Sequence, residues 1–321
     1  MPLANRCAWA PQRIHQNLMA RPSLPAKHRH QVHLELARDF ISAGLLDRAE
    51  RLLQELLRDS PDSREQALRH LLEIYQAERE WQEAIDTAMQ LLPKKSWLRS
   101  TSFDSQQVLR SIAHYYCELA EQSIRAGDYQ GGRAYLKEAL TFDKICVRAS
   151  ILLARLEMAA GQYELALKSL KRVASQDAAF MGEVVAYLRE VYEQKDALGD
   201  YVDYLKSVYL QHPSTEVLLG IFDGLVLTQG EQQAFEFFNE QMTKRPTLRG
   251  ITRLIEIHES SSSDQGRANL AILKTLVENL LSEKHDYLCK HCGFSGRQLH
   301  WQCPSCKHWG ETRPIQGVEG D

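Results

Sequence analysis

"AGLLDRAERLL" at residues 43–53 reads as the end of one helix, a turn and the start of the next, and it recurs. "EREWQEAIDTA" at 78–88, "AGDYQGGRAYL" at 126–136 and "AGQYELALKSL" at 160–170 share its plan. From turn positions at Gly44, Arg79, Gly127 and Gly161, a large apolar or aromatic residue follows two places on and a small one five places on. Fainter copies stand at Gly199 in "LGDYVDYL" and Gln229 in "TQGEQQAFEFF", which makes the steps between turns 35, 48, 34, 38 and 30 residues. A unit of this period is a pair of helices that cannot bury its apolar face alone and must stack on its neighbours.

The pattern resembles the tetratricopeptide repeat, a helix-turn-helix unit of about 34 residues. In the first clear copy Leu36, Ala37 and Phe40 fill the core positions of the first helix, Ala49 and Leu53 those of the second, and Pro61 stops the unit. Small residues belong where the two helices approach, and Ala120, Ala154 and Ala166 repeat that logic. Gly132 replaces alanine in the third copy and Arg79 replaces glycine in the second.

The long step assigns its surplus to "PKKSWLRSTSFDSQ", Pro93 to Gln106, read as a surface loop from its Pro, Ser and Thr content. A second interruption is expected at "ESSSSDQG", Glu259 to Gly266. It is followed by a helix with Leu270, Leu273, Leu276, Val277, Leu280 and Leu281 at helical spacing. Before the repeats, "RIHQNLMARPSLP" reads as the second helix of a further unit. The expected architecture is all-α. It comprises a partial N-terminal repeat or leader at 1–24, a tetratricopeptide-repeat superhelical solenoid at 25–283, and a small rubredoxin-like metal-knuckle domain at 284–321.

That last segment contains "YLCKHCGF" and "WQCPSCKHW". Two residues between cysteines let both sulfurs reach one centre across a tight turn, so Cys289, Cys292, Cys303 and Cys306 are expected to hold one ion tetrahedrally. Gly293 follows the first pair, where a positive φ would turn a backbone N–H toward sulfur, and Pro304 stiffens the second turn. Tetrahedral sulfur suits zinc and iron alike. The two knuckles look like shortened ones of rubredoxin, with Tyr287, Phe294, Trp301 and Trp309 around them, and rubredoxins carry electrons on iron. No flavin, haem or dinucleotide motif accompanies them, and so short a segment needs a staple, which favours structural zinc. His291, His300 and His308 lie close in sequence, but four sulfurs already complete a shell. Lys290, Arg297, Lys307 and Arg313 could meet phosphates; four scattered cations are read as ordinary surface, and no nucleic-acid partner is expected.

Of the 321 residues 44% are hydrophobic and 25% charged, with net charge −3. This describes a globular chain without a bias toward polyanions. The other cysteines, Cys7, Cys117 and Cys146, are scattered, which argues for a reducing compartment, the cytoplasm. Cys117 and Cys146 are read as buried small hydrophobes. Apolar runs are far shorter than a membrane span of about 20 residues, and no secretory signal opens the chain. No phosphate loop, nucleophile elbow or His-Glu-x-x-His pair is present, so no catalysis is expected. The first helices should instead line a binding groove with Arg38, Arg69, Glu73, Gln76, His114, Glu121, Arg125, Arg148 and Arg155. That lining is mostly cationic and fit to fork onto an acidic segment or a terminal carboxylate.

Repeats followed directly by such knuckles resemble the lipopolysaccharide assembly protein B family of Gram-negative bacteria. "RIHQNLMARPSL", "LARDFISAGLLDRAE", "LLEIYQAEREWQEAID", "IAHYYCELA", "YLCKHCGF", "HWQCPSC" and "RPIQGVEG" carry the resemblance, which covers Arg13 to the end. It implies a repeat module and a metal-bound domain at the cytoplasmic face of the inner membrane, with the four cysteines as ligands. It also implies a non-catalytic adaptor that promotes degradation of the deacetylase LpxC by the membrane protease FtsH, and leaves a homodimer open. "MPLANRCAWAPQ" has no counterpart to the family's membrane helix and first repeat, so the resemblance does not extend to the tether.

Overall fold

The structure is a computed structural model, and it describes residues 9–20, 25–93, 103–261, 263–282 and 284–317. The chain divides into two compact units, Met1–Leu119 and Ala120–Asp321. In the first lie α1 (Trp9–Met19), α2 (Ala26–Ser42), α3 (Leu46–Asp59), α4 (Arg64–Glu78) and α5 (Trp81–Leu91), and α6 (Phe103–Arg125) runs across the division. The second holds α7 (Tyr129–Phe142), α8 (Val147–Ala159), α9 (Tyr163–Gln176), α10 (Gly182–Gln194), α11 (Leu198–Gln211), α12 (Thr215–Gln229), α13 (Glu231–Lys244), α14 (Leu248–Ser261) and α15 (Asp264–Ser282). Three short strands follow: β1 (Tyr287–Cys289), β2 (Ser295–Gly296) and β3 (Thr312–Pro314). The helices pack in consecutive pairs, α2 with α3 and α4 with α5 in the first unit and α8 with α9, α10 with α11, α12 with α13 and α14 with α15 in the second. Within a unit one pair packs on the next, as α3 does on α4 and α9 on α10. This is a tetratricopeptide-repeat fold with a cysteine knuckle domain. Among the described residues no helix is long and apolar enough to cross a membrane.

The turns explain the period. At Gly44 (φ 73), Arg79 (φ 62), Gly127 (φ 86) and Gly161 (φ 69) the chain enters the left-handed region. The next N–H then reaches back five residues: Leu45 to the Phe40 carbonyl at 2.9 Å, Glu80 to Tyr75 at 2.9 Å, Asp128 to Ser123 at 2.9 Å, Gln162 to Glu157 at 2.8 Å. Such a bond closes the first helix by satisfying a carbonyl that the helix leaves open, and the left-handed residue favours glycine because it lacks a Cβ. Arg79 is strained at this position. Arg79→Gly is expected to stabilise the first unit by about 1 kcal/mol, and Gly127→Ala to cost about as much. Urea midpoints of the two variants check this, and a lower midpoint for Arg79→Gly would show that the arginine side chain offsets its backbone.

The fifth turn differs from the sequence reading. Its left-handed residue is Asp196 (φ 54), with the Ala197 N–H on the Tyr192 carbonyl at 2.9 Å. Gly199 lies inside α11. A short polar side chain tolerates the left-handed region, and the step from Gly161 shortens from 38 to 35 residues. In the sixth turn Gly230 (φ 94), one residue beyond Gln229, itself bonds to Leu225 and opens α13. Both expected interruptions are shorter than read. Phe103–Gln106 already belongs to α6, the rest of that loop apart from Pro93 lying outside the described residues, and α14 runs on to Ser261 before α15 starts at Asp264. α14 and α15 therefore form one more helix pair.

Core residues match the repeat positions. Leu36, Ala37, Phe40, Ala49, Leu53, Ala120, Ala154 and Ala166 are buried, as are Cys117 and Cys146. At Gly132 a Cβ would sit 2.7 Å from Ile124 Cγ1 and 3.3 Å from the Ala120 carbonyl, so the glycine marks a close approach of α7 to the end of α6. In the second unit α8 to α13 share one continuous core, and Leu299 and Trp301 of the C-terminal segment pack against it.

Candidate metal centre

β1 lies between β2 and β3, antiparallel to both, and pairs Leu288 with Ser295 and Cys289 with Thr312. A second small hairpin is pinned by the bridge between Gln302 and Trp309. Each hairpin ends in one Cys-x-x-Cys pair. The Gly293 N–H donates to the Cys289 carbonyl at 2.9 Å, and the Lys307 N–H donates to the Cys303 carbonyl at 2.9 Å. Both donors have positive φ, 77 for Gly293 and 60 for Lys307, so the two knuckles have the same build with a lysine in the glycine's place. The sequence reading expected the turn at Gly293 to direct a backbone N–H at sulfur. The next residue supplies it: the Phe294 N–H bonds Cys292 and lowers that thiol to about 6.

The four sulfurs converge. Cys289 and Cys306 Sγ are 3.8 Å apart, Cys292 and Cys303 Sγ 3.6 Å, and all four lie within 4.8 Å of one another. Zinc–sulfur bonds of about 2.3 Å place the corners of a tetrahedron about 3.8 Å apart, so the set fits one tetrahedral ion. Burial raises the Cys289 thiol against the N–H groups of Cys292 and His291. It pushes Cys306 up to about 12 against the His308 N–H. Backbone donors already aim at sulfur, and a cation would supply what burial takes from the thiolates.

The knuckle segment is docked on the repeats through a row of equivalent residues. Arg148, Glu183, Glu216 and Arg249 are the second residues of α8, α10, α12 and α14. The Arg148 guanidinium lies 5.9 Å from the centre of the Trp309 ring and donates to Glu121 at 2.7 Å. Tyr287 donates its hydroxyl to Glu183 at 2.5 Å. Arg249 donates to Glu216 at 2.7 Å and also holds Asp286, whose carbonyl accepts from the Ile315 N–H at 2.8 Å. Between these, Trp301 stacks on Phe180 with centroids 5.5 Å apart, and Arg313 pairs with Asp177. The stacked aromatic pair is the apolar centre of this contact and the ionic groups surround it.

Comparison with known proteins matches both the knuckles and the repeats. Residues 287–313 match a family described as "Rubredoxin metal binding domain", and residues 123–189 one described as "Tetratricopeptide repeat". Lipopolysaccharide assembly protein B of Escherichia coli (strain K12) is 36% identical over 310 residues, covering 96% of this chain and 77% of the relative. The chain belongs to the lipopolysaccharide assembly protein B family. The Haemophilus influenzae member is 32% identical over 308 residues, covering 96% of this chain and 75% of its own. Among solved structures, YrrB, described as "a TPR protein with an unusual peptide-binding site", aligns at 15% identity with a TM-score of 0.34, over 65% of this chain and 96% of its own.

In this lipopolysaccharide assembly protein B family member the expected groove residues do not form one lining. Arg38, Arg69 and Glu73 share a cleft of about 820 Å³ in the first unit with His30, Glu35, Asp62 and His70. There Arg38 donates to Glu35 at 3.2 Å, Arg69 to Glu65 and Asp104 at 2.9 Å each, and Glu73 lies 3.2 Å from His70 Nδ1. Gln76 turns its amide back to the Leu72 carbonyl at 3.1 Å. His114 is buried. Glu121 accepts from Arg148, Arg125 is exposed with Nε on the Glu121 carbonyl at 3.2 Å, and Arg155 is exposed. Arg148 is only 5% exposed, because Trp309 covers the face on which helical position alone had placed it in the open. The docking residues Phe180, Glu183, Glu216, Arg249 and Asp286 escaped the sequence reading, in which the aromatic residues flanking the knuckles were the available signal.

Trp301→Ala should remove the stacked centre of the docking contact while leaving the four cysteines untouched. We expect metal content to stay the same and proteolysis between Ser282 and Tyr287 to accelerate, for a loss of about 2 kcal/mol in docking. Unchanged cleavage would place the strength of the contact in the ionic groups.

Proposed function

We propose that the chain is a non-catalytic adaptor of lipopolysaccharide assembly that presents the deacetylase LpxC to the membrane protease FtsH at the cytoplasmic face of the inner membrane. The observation that carries this reading is the family match, which extends over repeats and knuckles together. The geometry supports a division of labour. In the second unit the knuckle segment covers the starts of three first helices, α8, α10 and α14, whereas the first unit keeps an open cleft between α2 and α4 with charges of both signs. That cleft is the groove we assign to a protein partner, with Arg38, Arg69 and Glu73 as its contacts. The ion on the four cysteines is zinc, and its role is to fold the segment that braces the second unit.

Capture of binding proteins from solubilised inner membranes of the source bacterium, followed by mass spectrometry, tests the adaptor reading. Recovery of an FtsH-type protease with an LpxC-type client is expected, and Arg38→Glu with Arg69→Glu should reduce it by at least about tenfold if two forked contacts are lost. Failure to recover either protein with the intact chain overturns the reading. A red protein containing iron, in place of a colourless one containing zinc, overturns the metal assignment separately.

A further inference from the structure

A second group of metal-ligand side chains overlaps the first. His291, Cys306 and His308 each bring a ligand atom within 4.8 Å of the other two. The imidazole rings of His291 and His308 lie face to face, with centroids 3.7 Å apart and planes at 20°. Nδ1 of His308 is 3.0 Å from the Cys306 carbonyl oxygen. A carbonyl only accepts, so Nδ1 carries the proton and the Nε2 lone pair is left for a ligand. His291 is exposed and Cys306 and His308 are half-buried, so the group is open to ions from solvent.

The geometry points to a second, exchangeable site for a divalent ion of the zinc class, held by His291, His308 and the thiolate of Cys306 and completed by water. Two imidazoles and one thiolate are a donor set suited to zinc, and three protein ligands leave one position free. Charge favours it too. Four thiolates around one dication retain two surplus negative charges, which a second dication bridged through Cys306 would offset. Stacked rings cannot both direct in-plane lone pairs at one ion, so binding must turn one ring. His291 is the one exposed to solvent and able to do so, giving up its stack on His308. The weaker ion therefore exchanges while the ion held by four thiolates stays.

The site rests on the reading that the four cysteines hold an ion, and metal counting separates the two. The full chain would be saturated with zinc, and bound zinc counted while a chromophoric chelator is titrated in, for the native chain and for His291→Ala with His308→Ala. Two equivalents are expected in the native chain, one released well before the other, and a single tightly held equivalent in the variant. One equivalent in both chains overturns the second site and leaves the first standing. Two in the variant places the extra ion elsewhere and overturns it as well, and none in either chain overturns both sites.

Discussion

With serine at both Cys303 and Cys306, the chain should carry no metal, and residues 284–317 should come away from the repeats as an unfolded tail. The segment buries little besides Cys289, Cys303, Trp309 and Thr312. So short a stretch does not fold on that core, and in structural zinc sites metal binding supplies about 10–16 kcal/mol of folding free energy. Loss of the knuckles removes the strand that presents Tyr287 to Glu183 and the hairpin that presents Trp301 to Phe180. Limited proteolysis with metal analysis reads the result: rapid cleavage of the segment, with resistant repeats. On the proposed adaptor function, turnover of the client should fail in the same variant. A double-serine chain whose knuckle segment stays protected would falsify metal-dependent docking, and normal client turnover would separate regulation from the metal.

The second large effect lies at Tyr201, which is fully buried and set in a notch of α12. A Cβ on Gly220 would stand 3.0 Å from the tyrosine Oη and 2.5 Å from Val185 Cγ1, and one on Gly224 would stand 3.1 Å from its ring and 2.7 Å from Val202 Cγ2. Tyr192 packs on it at 5.9 Å. Tyr201→Ala should cost about 3–5 kcal/mol, as truncation of a buried aromatic does, out of a total of about 5–15. The hydroxyl tells a separate story. Among the described residues Oη has no hydrogen-bond partner, and burial raises its pKa. Tyr201→Phe should therefore be neutral or stabilising by up to about 1 kcal/mol. Chemical denaturation of the two variants distinguishes the ring from its hydroxyl, and a clearly destabilised phenylalanine variant would refute the account of the hydroxyl.

The repeats were legible because their signals are local. A glycine at a left-handed turn, a large residue two places on and a small one five places on can be read along the chain, and Gly44, Gly127 and Gly161 all have the expected backbone. The fifth unit was misplaced by three residues because Asp196 performs the glycine's role while "LGDY" imitates the motif one turn later. The cysteine spacing was legible for the same reason, and its sulfurs converge. What could not be read is long-range. Tyr287 meets Glu183 across 104 residues and Arg249 meets Asp286 across 37, and neither partner carries a motif. Arg148 was placed in an open groove because a helical position shows which way a residue faces and not what covers it. The interruption at Glu259–Gly266 was read too long because serine-rich composition mimics a break that α14 runs through to Ser261.

The row of docking residues changes how the second unit must come apart. In a plain array each repeat touches only its neighbours, so the chain can fray from an end and flex like a spring. Here the knuckle segment reaches back to α8, α10 and α14 at once, and through Arg249 to Glu216 of α12, closing the loop between Trp309 and Arg148. It acts as a splint laid across the coils. A partner that tries to stretch the coils must lift the splint off all of them, so force applied at one end is carried to the other instead of being absorbed between.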